Sequence, residues 1–236
     1  MFEKVPGVRK IFHLPAKIVS KTQEYGPIGA LHWLTYQLTR RWREWRLGLR
    51  TGELDLGIVQ PDEGDNNGYE PVDYLCFDII MDHIDVIPNE SVFLDYGCGK
   101  GRAVILAALY PFKKVIGVEL SPVMSAVARQ HVHGASKNLT AQEVEIVTTD
   151  ARTFSVPDDV THIFMFNPFL GEVLKGVLNQ IQASLHRKER RLTIMYILPK
   201  VEVNHLDSEK WLLKTQTLQT GFCNYIDSYI YETQSE

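Results

Sequence analysis

Phe93-Leu94-Asp95-Tyr96-Gly97-Cys98-Gly99-Lys100-Gly101-Arg102 is the stretch on which the fold turns. The short apolar run Val92-Phe93-Leu94 reads as a strand and ends at an acid. Three glycines then alternate with single residues, and an alanine-rich helix follows from Gly101 to Tyr110, closed by Pro111. Glycines at such a turn let the main chain bend tightly and let a ligand approach the backbone N–H groups at the helix start. A dinucleotide-binding turn has the spacing G-x-G-x-x-G. Here the third glycine comes one residue early, and Arg102 stands where it would be. The loop instead has the form G-x-G-x-G preceded by an acid.

Strand and helix signals alternate downstream of this loop. Val115 to Val118 is a second strand, and Ser121-Pro122 is an N-cap and first-turn pair for a helix running to about His133. Val144 to Val147 and Ile163 to Phe166 are further strands. Leu174, Val177, Leu178, Ile181 and Leu185 mark one helical face ahead of the strand Leu192 to Tyr196. Apolar strands separated by helices predict a doubly wound, mostly parallel α/β sheet buried on both faces. Beyond Pro199, Trp211 to Leu213 and Tyr225 to Tyr231 read as a closing antiparallel hairpin joined through Thr220-Gly221. Ligands of such sheets bind beyond the carboxyl ends of the strands. Asp95 with its glycines, Glu119, Asp150 and Asn167-Pro168-Phe169 fall at four successive ends.

Residues 91 to 199 resemble the class I S-adenosylmethionine-dependent methyltransferases, with the motif Phe93 to Arg102 carrying most of the likeness. The resemblance implies a sheet of seven strands with the last antiparallel. It further implies that Asp95, Tyr96, Gly97, Cys98, Gly99 and Gly101 hold the methionine moiety of S-adenosyl-L-methionine. Glu119, followed by Leu120, would accept both ribose hydroxyls, and Asp150 with the N–H of Ala151 would meet the adenine edge. The residue types suit those tasks, since a carboxylate has two acceptor oxygens for a diol and an acceptor for an amino group. An acidic site also favours the sulfonium charge. Taken singly, Glu119 would pass for a solvated loop acid and Asp150 for a turn former before Arg152. Cys98, at a helix start where thiols are acidified, has the setting of a nucleophile, but methyl transfer forms no covalent enzyme intermediate and a small residue suffices there.

Asn167, Pro168 and Phe169 sit where this superfamily contacts the acceptor, and Asn167 also borders the cofactor. They resemble a shortened Asn-Pro-Pro-aromatic motif that acts on planar amino groups, lacking the second proline; a strand that simply turns at Pro168 is the other reading. Upstream, Gly68-Tyr69-Glu70-Pro71 resembles the Tyr-x-Pro element of seven-strand protein-lysine methyltransferases, which closes over the methionine end of the cofactor, so Tyr69 joins the cofactor set. Together these favour a protein side-chain nitrogen as acceptor, with RNA, a small metabolite or a non-catalytic cofactor-binding role as alternatives. Tyr69 and Asp73 are the candidate bases.

Farther from the loop, Val72 to Ile87 reads as a helix stopped by Pro88-Asn89, and 51–70 as a long Gly/Asp/Asn-rich loop. The domain boundary is therefore expected between an N-terminal region, 1–68, and a cofactor-binding domain, 69–236. Leu31, Leu34, Leu38, Trp42, Trp45 and Leu49 recur every three or four residues, which predicts a helix from Ile28 to Leu49. Its basic character and tryptophans suit a membrane surface or a nucleic-acid backbone through residues 28–50, but packing of the stripe on the main domain is the expectation adopted. Residues 1–27, broken by Pro6, Gly7, Pro15, Gly26 and Pro27, are expected to be an irregular arm.

At 236 residues, 44% hydrophobic and 23% charged, the chain has an ordinary globular composition. No run approaches the roughly 18–20 apolar residues of a membrane span, and the start lacks a signal-peptide core. Cys76, Cys98 and Cys223 are odd in number and lack a C-x-x-C pair, which disfavours disulfides and a zinc knuckle. A cytoplasmic protein without a metal is expected, and His131 and His133 read as a solvated helix-terminal pair. The net charge of −4 is uneven: residues 1–50 carry ten Lys/Arg against three acids, whereas the remainder is strongly acidic.

Overall fold

β1 (Val92–Tyr96) is buried along its whole length, which requires a partner on each side and a helical layer on each face. It pairs in parallel with β2 (Lys114–Glu119) and with β4 (His162–Phe166), placing Asp95 between Gly117 and Phe164. β3 (Glu143–Thr148) extends the sheet beyond β2, and β5 (Thr193–Ile197) beyond β4, both in parallel. β7 (Ile226–Thr233) is antiparallel to β5 and to β6 (Leu212–Thr220), so the last strand is inserted between the two. The order β3-β2-β1-β4-β5-β7-β6 is the expected seven-stranded, doubly wound sheet with its last strand antiparallel. The direction of winding reverses between β1 and β4, which puts the ligand crevice at their carboxyl ends. This computed structural model describes residues 14–52, 69–166, 169–197, 203–221 and 226–234.

The period-two geometry of the strands divides the core. Phe93, Phe164 and Met195 belong to the layer containing α2 (Tyr74–Met81), α3 (Arg102–Ala107) and α4 (Pro122–Ala135). Phe77 of α2 anchors that layer, its ring 5.4 Å from Phe164 and 6.4 Å from Phe93. Leu94, Tyr96 and Met165 face the other layer, where α5 (Gly171–Arg187) buries Leu174, Val177, Leu178 and Ile181 as its spacing predicts. Ser121 caps α4 by accepting the Met124 N–H, with Pro122 in the first turn. The short helix α6 (Val203–Ser208) precedes β6.

Two expectations need correction. The helix expected over Val72–Ile87 runs only from Tyr74 to Met81. Asp73 caps its start, and beyond Asp82 other partners take over the backbone: Ser91 Oγ accepts the Ile87 N–H at 2.9 Å, and the Asp85 carbonyl pairs with His162 Nε2 at 3.0 Å. The irregular arm expected over 1–27 is helical where described, because α1 spans Leu14–Leu47. Its breakers fall where they do little harm. Pro15 lies in the first turn, and Gly26 (φ 73°, ψ 174°) leaves helical geometry next to Pro27, concentrating both in one kink.

The chain forms two compact units, Met1–Arg46 and Leu47–Glu236. This division precedes the boundary expected at 68/69, because Leu47 and Leu49 are buried in the first core layer of the larger unit. Among the described residues no helix is long and apolar enough to cross a membrane.

Candidate functional site

Four N–H groups of the loop after β1 are spent internally. Gly97 and Cys98 donate to the Val118 carbonyl at 2.9 and 3.0 Å, and Gly101 donates to the Cys98 carbonyl at 2.8 Å. The Gly99 N–H donates to Glu119 Oε2 at 2.8 Å. These four amides are held within the loop, which fixes its shape for the close approach of a ligand. Gly99 sits at φ +53°, and a β-carbon there would lie 2.5 Å from Cε2 of the Tyr69 ring. Both the turn and the contact demand glycine.

Two acids lie beneath this loop. Glu119 accepts the N–H groups of Gly99 and Ser121, each at 2.8 Å; burial pushes its carboxyl up, against those bonds. Its oxygens retain acceptor capacity for a diol, since each carboxylate oxygen has two lone pairs. Asp95 is 3% exposed, and among the described residues no hydrogen bond to its carboxylate is present. Burial first, and then the charge of Glu119, raise its carboxyl to about 8. A buried, unpaired acid beside a second acid is costly by itself and suits a cationic ligand.

Asp95, Gly97 and Cys98 line a small cavity with Tyr69 to Val72, Arg102 and Phe166. The segment before α2 is tied to the loop by direct bonds. Arg102 donates from Nε to Thr51 Oγ1 at 2.7 Å and from Nη1 to the Val72 carbonyl at 2.8 Å, and it stacks 4.7 Å from the Tyr74 ring centre. The Tyr69 hydroxyl donates to the Thr51 carbonyl at 2.8 Å. His131 Nε2 accepts the Arg50 N–H at 3.3 Å while Nδ1 meets the Lys100 carbonyl at 2.9 Å. His131 is thus a bridge between two backbone segments, not the solvated residue its sequence position suggests.

At the ends of β2 and β3, Leu120 is half exposed and Ala151 is buried. Asp150 accepts the Arg152 N–H at 2.9 Å and is held by the Arg152 guanidinium at 2.5 to 3.1 Å, which lowers its carboxyl. The Arg152 stem lies across Gly176 of α5, where a β-carbon would come within 3.0 Å of Cγ. The carboxylate expected to meet the adenine is thereby fixed in position.

Residues 93–188 match the family model of a methyltransferase domain. Over these residues the chain is similar to a methyltransferase domain, and its seven-stranded sheet has the class I S-adenosylmethionine-dependent methyltransferase fold. Solved structures of similar fold include an RNA methyltransferase from Salinibacter ruber in complex with S-adenosyl-L-homocysteine, 20% identical, covering 68% of this chain and 91% of its own at a TM-score of 0.51. A SAM dependent methyltransferase from Aquifex aeolicus is 15% identical, with coverages of 68% and 90% and a TM-score of 0.54. A ribosomal protein L11 methylase from Lactobacillus delbrueckii subsp. bulgaricus is 17% identical, with coverages of 68% and 78% and a TM-score of 0.50. At these identities the likeness establishes the fold. A comparison with curated proteins finds no match.

The fold brings Tyr69, Asp95, Gly97 and Cys98 to one cavity and sets Glu119 directly under Gly99. Tyr96 points to the opposite face of the sheet, its ring edge-on to Phe154 and Phe169 at 6.2 Å. Its part is to support the end of β4 from below. Phe169 is buried, and Asn167 and Pro168 lie outside the described residues. Cys98 is buried and burial pushes its thiol far up, so it is no nucleophile. Asp73 Oδ1 accepts the N–H groups of Leu75 and Cys76 as a helix cap, and the Tyr69 hydroxyl donates to the Thr51 carbonyl. Arg102, Thr51 and Phe166 were missed. A lone arginine opening an otherwise apolar helix was the available signal for Arg102, because such a cation is buried only where carbonyls and hydroxyls await it.

Proposed function

We propose that this domain transfers the methyl group of S-adenosyl-L-methionine to a nitrogen of a protein side chain. The observation that carries the reading is the cavity in which Tyr69-Glu70-Pro71 meets Asp95 and the glycine loop at the ends of β1 and β4. A Tyr-x-Pro segment at that place resembles the element that shapes the lysine channel in seven-strand lysine methyltransferases. The exposed carboxylate of Glu70 and the acidic balance of the larger unit favour a cationic acceptor.

In this reading the catalytic domain comprises 69–236, preceded by the N-terminal region 1–68. Asp95, Gly97, Cys98, Gly99 and Gly101 hold the methionine end, with Tyr96 packed against Phe154 and Phe169 on the other face of the sheet. Glu119 and Leu120 take the ribose, Asp150 and Ala151 the adenine, and Asn167 and Pro168 the acceptor, while Phe169, buried against Tyr96, is a packing residue. The bound donor supplies an electrophilic methyl on a sulfonium. The protein aligns the acceptor nitrogen with it and keeps water out, which accounts for most of the acceleration expected of such a site.

Methyl transfer from labelled donor into a cell lysate tests the proposal. Label in the protein fraction, stable to nuclease and removed by protease, supports it. Label confined to RNA or to small molecules overturns the acceptor assignment while leaving the donor site intact.

A further inference from the structure

The smaller unit by itself leaves an apolar stripe of α1 uncovered. Leu31, Leu38, Trp42 and Trp45 are 57%, 56%, 51% and 80% exposed. They share one helical face, each three, four or seven residues from the next. Arginines border this face on both sides. Arg41 stands one turn from Leu38 and from Trp45 on one edge, and Arg46 one turn from Trp42 on the other, its guanidinium 5.3 Å from the Trp42 ring. Residues 1–46 carry nine Lys/Arg against three acids, although the whole chain is acidic.

We infer that α1 lies flat on an anionic lipid surface. The chemistry matches that occupant. Leucine and tryptophan side chains enter the boundary between headgroups and acyl chains, and indoles favour that depth. Long arginine stems at the stripe's edges let their charges reach lipid phosphates while the stripe is buried. α1 is too polar to cross the bilayer, which leaves the surface as its place. A second copy of the helix fits less well, because Arg41 and Arg46 would meet arginines across the seam with no acid at either edge to pair with them. Single-stranded RNA would be met by the tryptophans and arginines but not by Leu31 and Leu38, which offer bases nothing to stack on.

Co-sedimentation of the full-length protein with vesicles tests this. Vesicles of phosphatidylcholine with about one third phosphatidylglycerol should pellet it at low salt, those of phosphatidylcholine alone should not, and tryptophan emission should shift to the blue on binding. The W42A/W45A variant and the R41E/R46E variant should each lose roughly tenfold or more in vesicle affinity, and added salt should weaken binding. An unchanged melting temperature in at least one of them shows that the loss is not unfolding. Equal recovery on both vesicle types, no recovery on either, or binding unaffected by both variants overturns the proposal. So does tight binding of a single-stranded RNA oligonucleotide without vesicle binding.

Discussion

The ring of Tyr69 rests on Gly99 so closely that a β-carbon at position 99 would stand 2.5 Å from its Cε2 atom. Two penalties therefore meet in Gly99→Ala: a left-handed backbone, at about 1–2 kcal/mol, and a collision with the ring. They are separable. In a Tyr69→Ala background the collision vanishes and the backbone penalty stays, so Gly99→Ala should cost less there than in the wild type. Chemical denaturation of the four proteins of this cycle checks the expectation; equal costs in both backgrounds would show that Tyr69 does not rest on the loop.

Glu119 joins two backbones with one side chain, and Glu119→Gln should expose that. The amide keeps one acceptor oxygen and turns an NH2 group towards either the Gly99 or the Ser121 N–H. One buried donor loses its partner, at about 1–3 kcal/mol. Because the Gly99 bond also sets the loop's shape, the affinity for S-adenosylmethionine should fall by at least roughly tenfold, as titration calorimetry would read. Wild-type affinity would remove Glu119 from the proposed donor site.

Why the sheet was legible and the segment before α2 was not follows from where each gets its stability. Burial on both faces writes β1, β2, β4 and β5 into the sequence as continuous apolar runs, and the cap pair Ser121-Pro122 opens α4 through local bonds. Those signals are visible within a few residues. The bonds of Arg102 to Thr51 and Val72 span 51 and 30 residues, and that of Tyr69 to Thr51 spans 18. No periodicity announces such pairings. α1 was misread over Leu14–Tyr25 for a different reason: prolines and glycines were counted as breakers one by one, although the first turn and a single kink absorb those described.

Arg102→Met tests the long-range bonds. Methionine keeps the apolar stem but leaves the Val72 carbonyl and the Thr51 hydroxyl without their donor, and a destabilisation of about 1–3 kcal/mol is expected. Arg102→Lys should recover only part of it, since a point donor does not span both acceptors as a fork does. Hydrogen exchange should speed up over Leu47–Gly52 and Tyr69–Asp73 and stay unchanged in β4 and β5. Uniform acceleration across the sheet would mean that Arg102 supports the whole domain and not this segment.

Asp95 makes stability and donor binding respond to pH in opposite directions. Its folded-state carboxyl is raised to about 8, against about 3.9 for an unfolded chain. The folded state thus holds a proton that the unfolded state has released, so the stabilisation is complete below about pH 4 and is lost as pH rises towards 8. The slope from this one group is at most about 1.4 kcal/mol per pH unit. A cationic donor reverses the preference, because it attracts the ionised carboxylate. Its affinity should therefore rise between pH 6 and pH 8. Asp95→Asn, neutral at every pH, should be more stable than the wild type at pH 8 without the donor, gain little from adding it, and bind it with no pH dependence from this site. Thermal unfolding and calorimetry of both proteins at pH 6, 7 and 8 measure all three quantities. If Asp95→Asn is less stable than the wild type at pH 8 and binds the donor equally well, Asp95 is a structural acid and the methionine end of the donor lies elsewhere.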